Sequence, residues 1–425
     1  MSSPGQIAGS PSAPQDGMFS FYGAMDAKGR RTFWACTGGF AMDAMDFMIF
    51  PLIIGTLIAL WKIDAKTAGG VATVTLLCSA VGGWLAGYLA DRIGRVRVMQ
   101  ITILTFSVGS LLSALAQDVW QLTIFRGLLG LGFGGEAAVA AVTLSEVVGA
   151  RYRGRAMGCY TASYALGWAA AVLLQAAIFA ALPPETAWRA LLAVGALPAL
   201  LILFIRRNVE EPAIAAADRR EQALRPSLVA IFARSNLGST LMGTLLTIGA
   251  QGGFFSLMIW MPQFLRAERK ISIIGSTPYL LTVIAGAFVG YLTGGWLADR
   301  FGRRFVFIAS SICAAALAYA YTHAPLSDGV MLLLGFPLGF FASAYYSAIL
   351  PFLNELFPTS VRGSGVGFTY NAGRAIGGLF PFLVGAVSAM MPLSDAISLF
   401  AAISYGLMLV TALLMRETNG VVLKS

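Results

Sequence analysis

The sequence predicts an all-α membrane protein in which twelve transmembrane helices form two pseudo-symmetric six-helix bundles. The chain of 425 residues is 57% hydrophobic but only 12% charged, about half the ~25% that an average soluble domain carries. Its apolar residues fall into twelve runs long enough to cross a bilayer, and a motif that follows the second run recurs after the eighth. Composition, run length and repetition together predict this fold class.

The apolar runs define the elements in order. A helix crosses the hydrocarbon core with about 20 residues. The polar interruption at 207–235 is expected to be a cytoplasmic linker between a first bundle at 31–206 and a second at 236–416. Residues 1–30, which lack the order of a secretory signal, are expected to be a flexible cytoplasmic tail, and residues 417–425 a second one. The runs lie at about 33–60, 67–90, 97–116, 120–147, 155–182, 188–206, 236–264, 274–298, 304–323, 329–353, 365–390 and 394–415.

The distribution of Lys and Arg predicts the orientation. Cytoplasmic loops carry an excess of these residues, and the excess here falls on the loops of one side, which include Arg92, Arg153 and Arg362. Both termini are therefore expected in the cytoplasm, and the chain in the inner (plasma) membrane, surrounded by lipid. Because the net charge of +9 is concentrated in these loops, a nucleic-acid partner is not expected.

An internal repeat links the two halves. Gly87–Arg95 reads GYLADRIGR and Gly295–Arg303 reads GWLADRFGR, 295 − 87 = 208 residues later. A second pair follows the fourth helix of each half, from Glu146 to Arg153 and from Glu355 to Arg362. Internal duplication in a chain of membrane helices is typical of transporters, whose binding site lies between the repeats near the middle of the membrane.

These motifs resemble those of the major facilitator superfamily. The GxLADRxGR pattern is similar to that family's signature loop, RGLLGLGFGGE at Arg126–Glu136 to its fourth-helix motif, and RETNG at Arg416–Gly420 to its PETxG ending. The resemblance covers about residues 31–420 and implies a monomer that transports by alternating access without a cofactor.

Five ionisable residues lie well inside predicted helices, where a charge costs about 2.5–3.5 kcal/mol on insertion scales and therefore indicates a function. Asp43 and Asp46 share one face of the first helix. Two carboxylates that close repel each other when both are ionised, so a proton is expected to bind there. Proton coupling is predicted for this pair and for Glu136, with a kink cap, an Arg partner or helix packing as alternatives.

The buried arginines are candidates for binding an anion. Arg126 either binds a substrate carboxylate through two hydrogen bonds or forms a permanent ion pair with an aspartate on the first helix. Arg374, with Asn371 one turn before it, either binds an anionic substrate or anchors a neighbouring helix. The resemblance implies that the seventh and tenth helices line the pathway, which adds Gln251, Tyr345 and Tyr346 as candidates beside the alternative of packing.

The turns on the Arg-rich side are predicted to form a cytoplasmic gate. An aspartate there can pair with arginines or with a helix N-terminus of the facing half and so close the inner mouth. The candidate gate residues are Asp91, Arg92, Arg95, Glu146, Arg153, Asp299, Arg300, Arg303, Glu355 and Arg362.

Buried arginines together with buried acids favour a symporter that imports a small organic acid anion with protons. The DxxDF pair, GGE and RxRGRAMG resemble carboxylate:proton symporters, and Ala44 and Met45, in place of the Gly of the aromatic-acid carriers' DGxD, favour the sialate and monocarboxylate carriers. The alternative is a proton-driven exporter or a sugar-type facilitator on the same scaffold. A receptor is disfavoured because no loop is long enough for a soluble domain. The sequence contains no apparent nucleophile–base pair or metal cluster, so neither an enzyme nor a metal site is expected.

Overall fold

The computed structural model describes residues 20–148, 153–197, 199, 228–325, 327–358 and 361–418. Helices account for the regular structure of these residues. The predicted linker is described only from residue 228, where a 3₁₀ turn spans Leu228–Phe232, and the predicted first tail only from residue 20. The all-α class predicted from the sequence is confirmed.

The first half consists of seven described α-helices and the second of eight. The first half contains α1 (Ser20–Ala24), α2 (Ala27–Trp61), α3 (Ala65–Ile93), α4 (Arg95–Leu115), α5 (Val119–Val147), α6 (Arg153–Ala181) and α7 (Pro184–Val194). The second contains α8 (Leu237–Ala267), α9 (Thr277–Phe301), α10 (Arg303–His323), α11 (Asp328–Phe341), α12 (Tyr346–Leu356), α13 (Arg362–Gly377), α14 (Phe380–Val387) and α15 (Leu393–Leu414).

Ten spans within the described residues are long and apolar enough to cross a membrane: α2 to α6, α8 to α10, α11 with α12, and α15. The other two predicted runs are α7, which is described as a helix only to Val194, and the run at 365–390, which divides into α13 and α14. The division has a local cause, because Pro381 has no N–H to donate to the preceding turn.

The start of the chain differs from the predicted flexible tail. Residues 20–30 are largely helical, and Phe21 and Met25 are buried. The ring of Phe21 lies 5.4 Å from that of Phe33 on α2. Apolar side chains four residues apart meet on one face of a helix and can be buried together, which is why this part of the tail packs on the bundle.

Aspartate caps begin several of the long helices. Asp26 accepts a hydrogen bond from Gly29 N at 2.6 Å and Asp118 from Gln121 N at 2.9 Å. Asp64, at the start of α3, accepts from Thr67 N at 2.8 Å. These side chains satisfy amides that have no partner within the helix, and the bonds from Thr67 lower the pKa of the exposed Asp64 carboxyl.

The two ends of the bundle are named here by their composition. The Arg-rich end is the one at which Arg95, Arg303 and Arg362 begin their helices, and the Arg-poor end is the one that holds Asp64 and Pro392. The sequence predicts that the Arg-rich end faces the cytoplasm.

The halves meet through three sets of helices: α2 on α8, α6 on α9, and α3 on α13 and α14. Toward the Arg-poor end, Arg266 donates a hydrogen bond to Thr56 Oγ1 at 3.3 Å. At the same end Gly69 and Gly385 lie against backbone carbonyls of the facing half, where a Cβ atom would overlap them. The two halves are therefore closely packed at the Arg-poor end.

Candidate functional site

Asp43 on α2 and Glu136 on α5 form a buried carboxyl pair. Both side chains are 0% exposed, and the two carboxyl groups lie next to each other. None of their four oxygen atoms has a hydrogen-bond partner among the described residues. Two carboxyl groups can share a hydrogen bond only when one of them is protonated, because an ionised carboxylate is an acceptor only. The pair is therefore suited to hold one proton.

Asp46 belongs to a different cluster from Asp43, although the two are neighbours in sequence. Its Oδ1 atom accepts a hydrogen bond from Ser110 Oγ at 2.9 Å, and its Oδ2 atom lies 4.0 Å from Arg126 Nη1. Gly195 lies against the same carboxyl with no room for a Cβ atom. Asp46 thus has a cation and a hydroxyl beside it, whereas Asp43 has a second acid.

Arg126 occupies the position of a partner to Asp46, which is one of the two roles that the sequence left open. Its side chain is 1% exposed, and its guanidinium carbon lies 5.2 Å from the centre of the Phe50 ring. Glu136 is ten residues further along α5, about 15 Å by helical rise, so Arg126 pairs with one acid of α2 and Glu136 with the other.

Arg374 is the buried cation that lies at the interface of the halves. Its side chain is 8% exposed. The guanidinium carbon lies 5.3 Å from the ring of Tyr370 on α13 and 5.5 Å from the ring of Phe133 on α5, across the interface. Its Nε atom has no hydrogen-bond partner among the described residues. A guanidinium between aromatic faces keeps its in-plane donors available for a ligand.

Further aromatic side chains from both halves contact one another in the same region, and the set is called the aromatic cluster here. Tyr164 of α6 lies near Arg374 and is 6.3 Å from Tyr291 of α9 between ring centres. Tyr291 is 6.1 Å from Tyr346, which is 5.5 Å from Phe254. The cluster consists of Phe133, Tyr164, Phe254, Tyr291, Tyr346 and Tyr370.

Sequence reasoning identified Tyr346 but missed the rest of this cluster. The chain contains 28 Phe and 13 Tyr, and an aromatic residue on a membrane helix more often packs than binds. Only the packing of helices from both halves places Phe133 and Tyr370 beside Arg374, and the sequence carries no signal for that.

Three other predicted substrate residues make hydrogen bonds to backbone carbonyls, two of them to a neighbouring helix and one within α13. Gln251 Nε2 donates to Tyr370 O at 3.0 Å, and Tyr345 Oη donates to Ala250 O at 2.8 Å. Asn371 Nδ2 donates to Gly367 O at 2.9 Å, while its Oδ1 atom faces Gly83 of the other half. The Tyr345 hydroxyl and one N–H of each amide are therefore already used in the structure.

Three predicted gate residues of the second half, Asp299, Arg303 and Glu355, lie next to one another. Arg303 contacts Asp299 one turn before it and Glu355 at 3.2 Å. Glu417 accepts hydrogen bonds from the backbone N atoms of Arg303 and Arg304, at 2.9 Å and 3.1 Å, and so caps α10. The RETNG ending therefore stabilises the repeated turn of its own half.

The remaining gate residues take several positions. Arg362 Nε donates to Phe357 O at 3.3 Å, and the guanidinium of Arg300 lies 5.9 Å from the Trp296 ring. In the first half, Arg95 is buried and Arg92 lies 4.3 Å from the Tyr88 ring. The side chains of Asp91, Glu146 and Arg153 lie outside the described part of the structure. The gate stays a prediction.

Comparisons with known proteins agree with this architecture. The chain matches the family model described as the Major Facilitator Superfamily over residues 35–381 and again over 280–420. It is 37% identical, over 96% of its length, to a protein of Cupriavidus pinatubonensis named as a probable 4-methylmuconolactone transporter, of which the match covers 95%. It is 28% identical to the cis,cis-muconate transport protein of Acinetobacter baylyi, over 81% of this chain and 84% of that protein.

Among solved structures, the inward open conformation of the xylose transporter from E. coli is similar with a TM-score of 0.72 at 16% identity. The similarity covers 91% of this chain and 96% of the xylose transporter. At this identity the likeness concerns the fold alone. It confirms the two-bundle, twelve-helix class predicted from the sequence.

Proposed function

This chain belongs to the Major Facilitator Superfamily, and we propose that it carries a small, planar organic acid anion across the inner membrane together with protons by alternating access. The chain is a transport protein and not an enzyme. The observation that carries the proposal is Arg374, a buried guanidinium set among aromatic rings at the interface of the halves.

The geometry around Arg374 supports a planar carboxylate as substrate. A guanidinium binds a carboxylate through two parallel hydrogen bonds. The ring of Tyr370 beside it offers a face on which a flat, unsaturated molecule can stack. The relatives are named for 4-methylmuconolactone and cis,cis-muconate, and both compounds combine a carboxyl group with conjugated carbon atoms.

A sugar is a poorer fit to the same region. Sugars are bound mainly by side-chain amides and hydroxyls, and here one N–H of each of the amides of Gln251 and Asn371 is engaged with a backbone carbonyl. A lipophilic cation, the usual cargo of a drug exporter, would be repelled by the Arg374 guanidinium. These contacts favour an acid as the substrate over a sugar or a lipophilic cation.

The Asp43–Glu136 pair supports proton coupling. A buried acid pair can take up a proton from one side of the membrane and release it when water reaches it from the other. A monoanion that enters with one proton moves no net charge, and a second proton would add about 2.3 kcal/mol of driving force per 100 mV. In this proposal Asp46 stays paired with Arg126 and carries no proton.

A ligand screen on the purified transporter tests the proposal. The melting temperature is measured with cis,cis-muconate, 4-methylmuconolactone, sialic acid, xylose and a lipophilic cation, each over a concentration series. Ligands that bind the folded state raise the melting temperature by mass action. We expect stabilisation by the two unsaturated acids and weaker stabilisation by sialic acid. Stabilisation by xylose or the cation alone would contradict the proposal.

A further inference from the structure

The run predicted as one helix over 365–390 is interrupted by a side chain from the other half. In an unbroken α-helix the N–H of Phe382 would donate to the carbonyl of Gly378, four residues earlier. Instead Phe382 N donates to Thr73 Oγ1 at 3.3 Å, and the same hydroxyl donates to Gly378 O at 2.7 Å. The Thr73 hydroxyl thus lies between Phe382 N and Gly378 O, the donor and the acceptor of one helical hydrogen bond of the opposite half.

Neighbouring contacts hold the break in this geometry. Pro381 has no N–H for the carbonyl of Gly377, and its own carbonyl accepts a hydrogen bond from Trp260 Nε1 at 3.0 Å. Gly69, one turn before Thr73 on α3, lies directly against the same Pro381 carbonyl. Insertion of a side chain into the hydrogen-bond ladder is a recognised cause of a helix kink.

The break lies one turn from the candidate substrate site. Gly378 N donates to the carbonyl of Arg374 at 2.8 Å, and Leu379 N donates to Ile376 O at 3.1 Å. A change in the backbone at Gly378 would therefore move the last turn of α13, which carries Arg374.

We propose that Thr73 is a positioning residue that links closure of the Arg-poor end to the placement of Arg374. When the halves meet at that end, the hydroxyl holds α13 and α14 apart. When they separate, Thr73 leaves, Phe382 N bonds directly to Gly378 O, and the two segments join into one helix that keeps a kink at Pro381. This inference rests on the alternating access of the proposed function.

The exchange conserves hydrogen bonds, which is why it can act as a switch. In the closed arrangement the hydroxyl satisfies both Phe382 N and Gly378 O. In the open arrangement the two backbone groups satisfy each other and water satisfies the hydroxyl. Because the exchange leaves none of these three groups (Phe382 N, Gly378 O and the hydroxyl) without a partner, the two arrangements remain close in free energy.

Replacement of Thr73 by Val should upset this balance. Valine has the same shape but no hydroxyl, so in the closed arrangement Phe382 N and Gly378 O lose their partner, whereas in the open arrangement they can pair. Thr73→Ser retains the hydroxyl. Thr75→Val is a matched control, because Thr75 is buried on the same helix but donates only to Val71 O of α3, at 2.9 Å.

The distance between spin labels across the Arg-poor end measures the shift. Labels are placed at Thr67→Cys on α3 and Met390→Cys beyond α14, both exposed, in a transporter whose four native cysteines are replaced by Ala. We expect Thr73→Val to change the ratio of short to long distances by about 5- to 30-fold in favour of the long one. Thr73→Ser and Thr75→Val should retain the distribution of the parent.

Two results would overturn the inference: an unchanged distance distribution in Thr73→Val, or an equal shift in Thr75→Val. If Thr73→Val does not fold, Thr73→Ala removes the same hydroxyl and is subject to the same comparison. The readout needs no substrate, so failure of the ligand screen would leave this test valid. Conversely, acid binding with unchanged distances would retain the proposed function and remove only the role of Thr73.

Discussion

Replacement of Arg374 should weaken binding of the acid far more than it disturbs the fold. Arg374→Ala removes the one buried guanidinium placed here beside the aromatic cluster, together with its contacts to Phe133 and Tyr370. A hydrogen bond to a charged group contributes about 1.5–3 kcal/mol. Because each 1.4 kcal/mol is tenfold in Kd, the loss corresponds to roughly 10- to 150-fold weaker binding.

Arg374→Lys separates charge from geometry. Lysine retains the positive charge but cannot form two parallel hydrogen bonds to one carboxylate or lie flat between two rings. We therefore expect an intermediate loss of affinity, smaller than that of Arg374→Ala. Arg234→Ala is a control, because Arg234 is exposed and lies outside the candidate site.

Binding of cis,cis-muconate to each variant in detergent can be followed by titration calorimetry. The expected order of affinity is wild type, then Arg374→Lys, then Arg374→Ala, with Arg234→Ala equal to wild type. A Kd for Arg374→Ala within a factor of about 2 of wild type would assign Arg374 to helix anchoring, because the loss of a charge-assisted hydrogen bond is larger than that.

Three further predictions concern the acids and the rings. Asp43→Asn and Glu136→Gln should each retain exchange of labelled acid across proteoliposomes but lose uphill uptake driven by a pH gradient; unchanged accumulation would exclude the pair from coupling. Asp46→Asn should lower the melting temperature markedly, because loss of one partner of a buried ion pair costs about 3–5 kcal/mol and leaves Arg126 without its counter-ion; a melting temperature equal to wild type would show that the pair is not structural. Tyr370→Leu should weaken binding of cis,cis-muconate more than that of acetate, since only the conjugated acid can stack on the ring beside Arg374; an equal loss for both acids would assign the ring to packing.

The sequence predicted the scaffold because its signals are local and strong. Apolar runs set the spans, and the copies at Gly87 and Gly295 set the two halves. It also located Arg374 and Glu136, since a charged residue within an apolar run is visible without any structure.

The pairing of the acids could not be read from the sequence. Asp43 and Asp46 are three residues apart and were expected to act together, yet one lies beside Glu136 and the other beside Arg126. Which face of α5 meets each aspartate depends on how the two helices pack, and no local pattern encodes that contact. The gate shows the same limit, because Glu355 and Arg303 are joined by the packing of their own half.

The break between α13 and α14 could be predicted from the sequence only in part. Pro381 within the run at 365–390 is a visible signal of a kink. The inserted hydroxyl of Thr73, which lies 309 residues from Phe382, is not. A proline in the sequence indicates where a helical hydrogen bond is missing. Which side chain bonds to the backbone at that break depends on the packing of the facing half.

The central claim is that a carboxylate and protons cross together, and their simultaneous measurement in proteoliposomes tests it most directly. Labelled cis,cis-muconate is added outside, its uptake is followed, and a trapped dye reports the internal pH, with protein-free liposomes correcting for passive entry. The account predicts saturable uptake with matching internal acidification, both lost in Arg374→Ala, and uphill accumulation lost in Glu136→Gln. Saturable uptake without proton movement, or acidification that is the same in Glu136→Gln as in wild type, would contradict it.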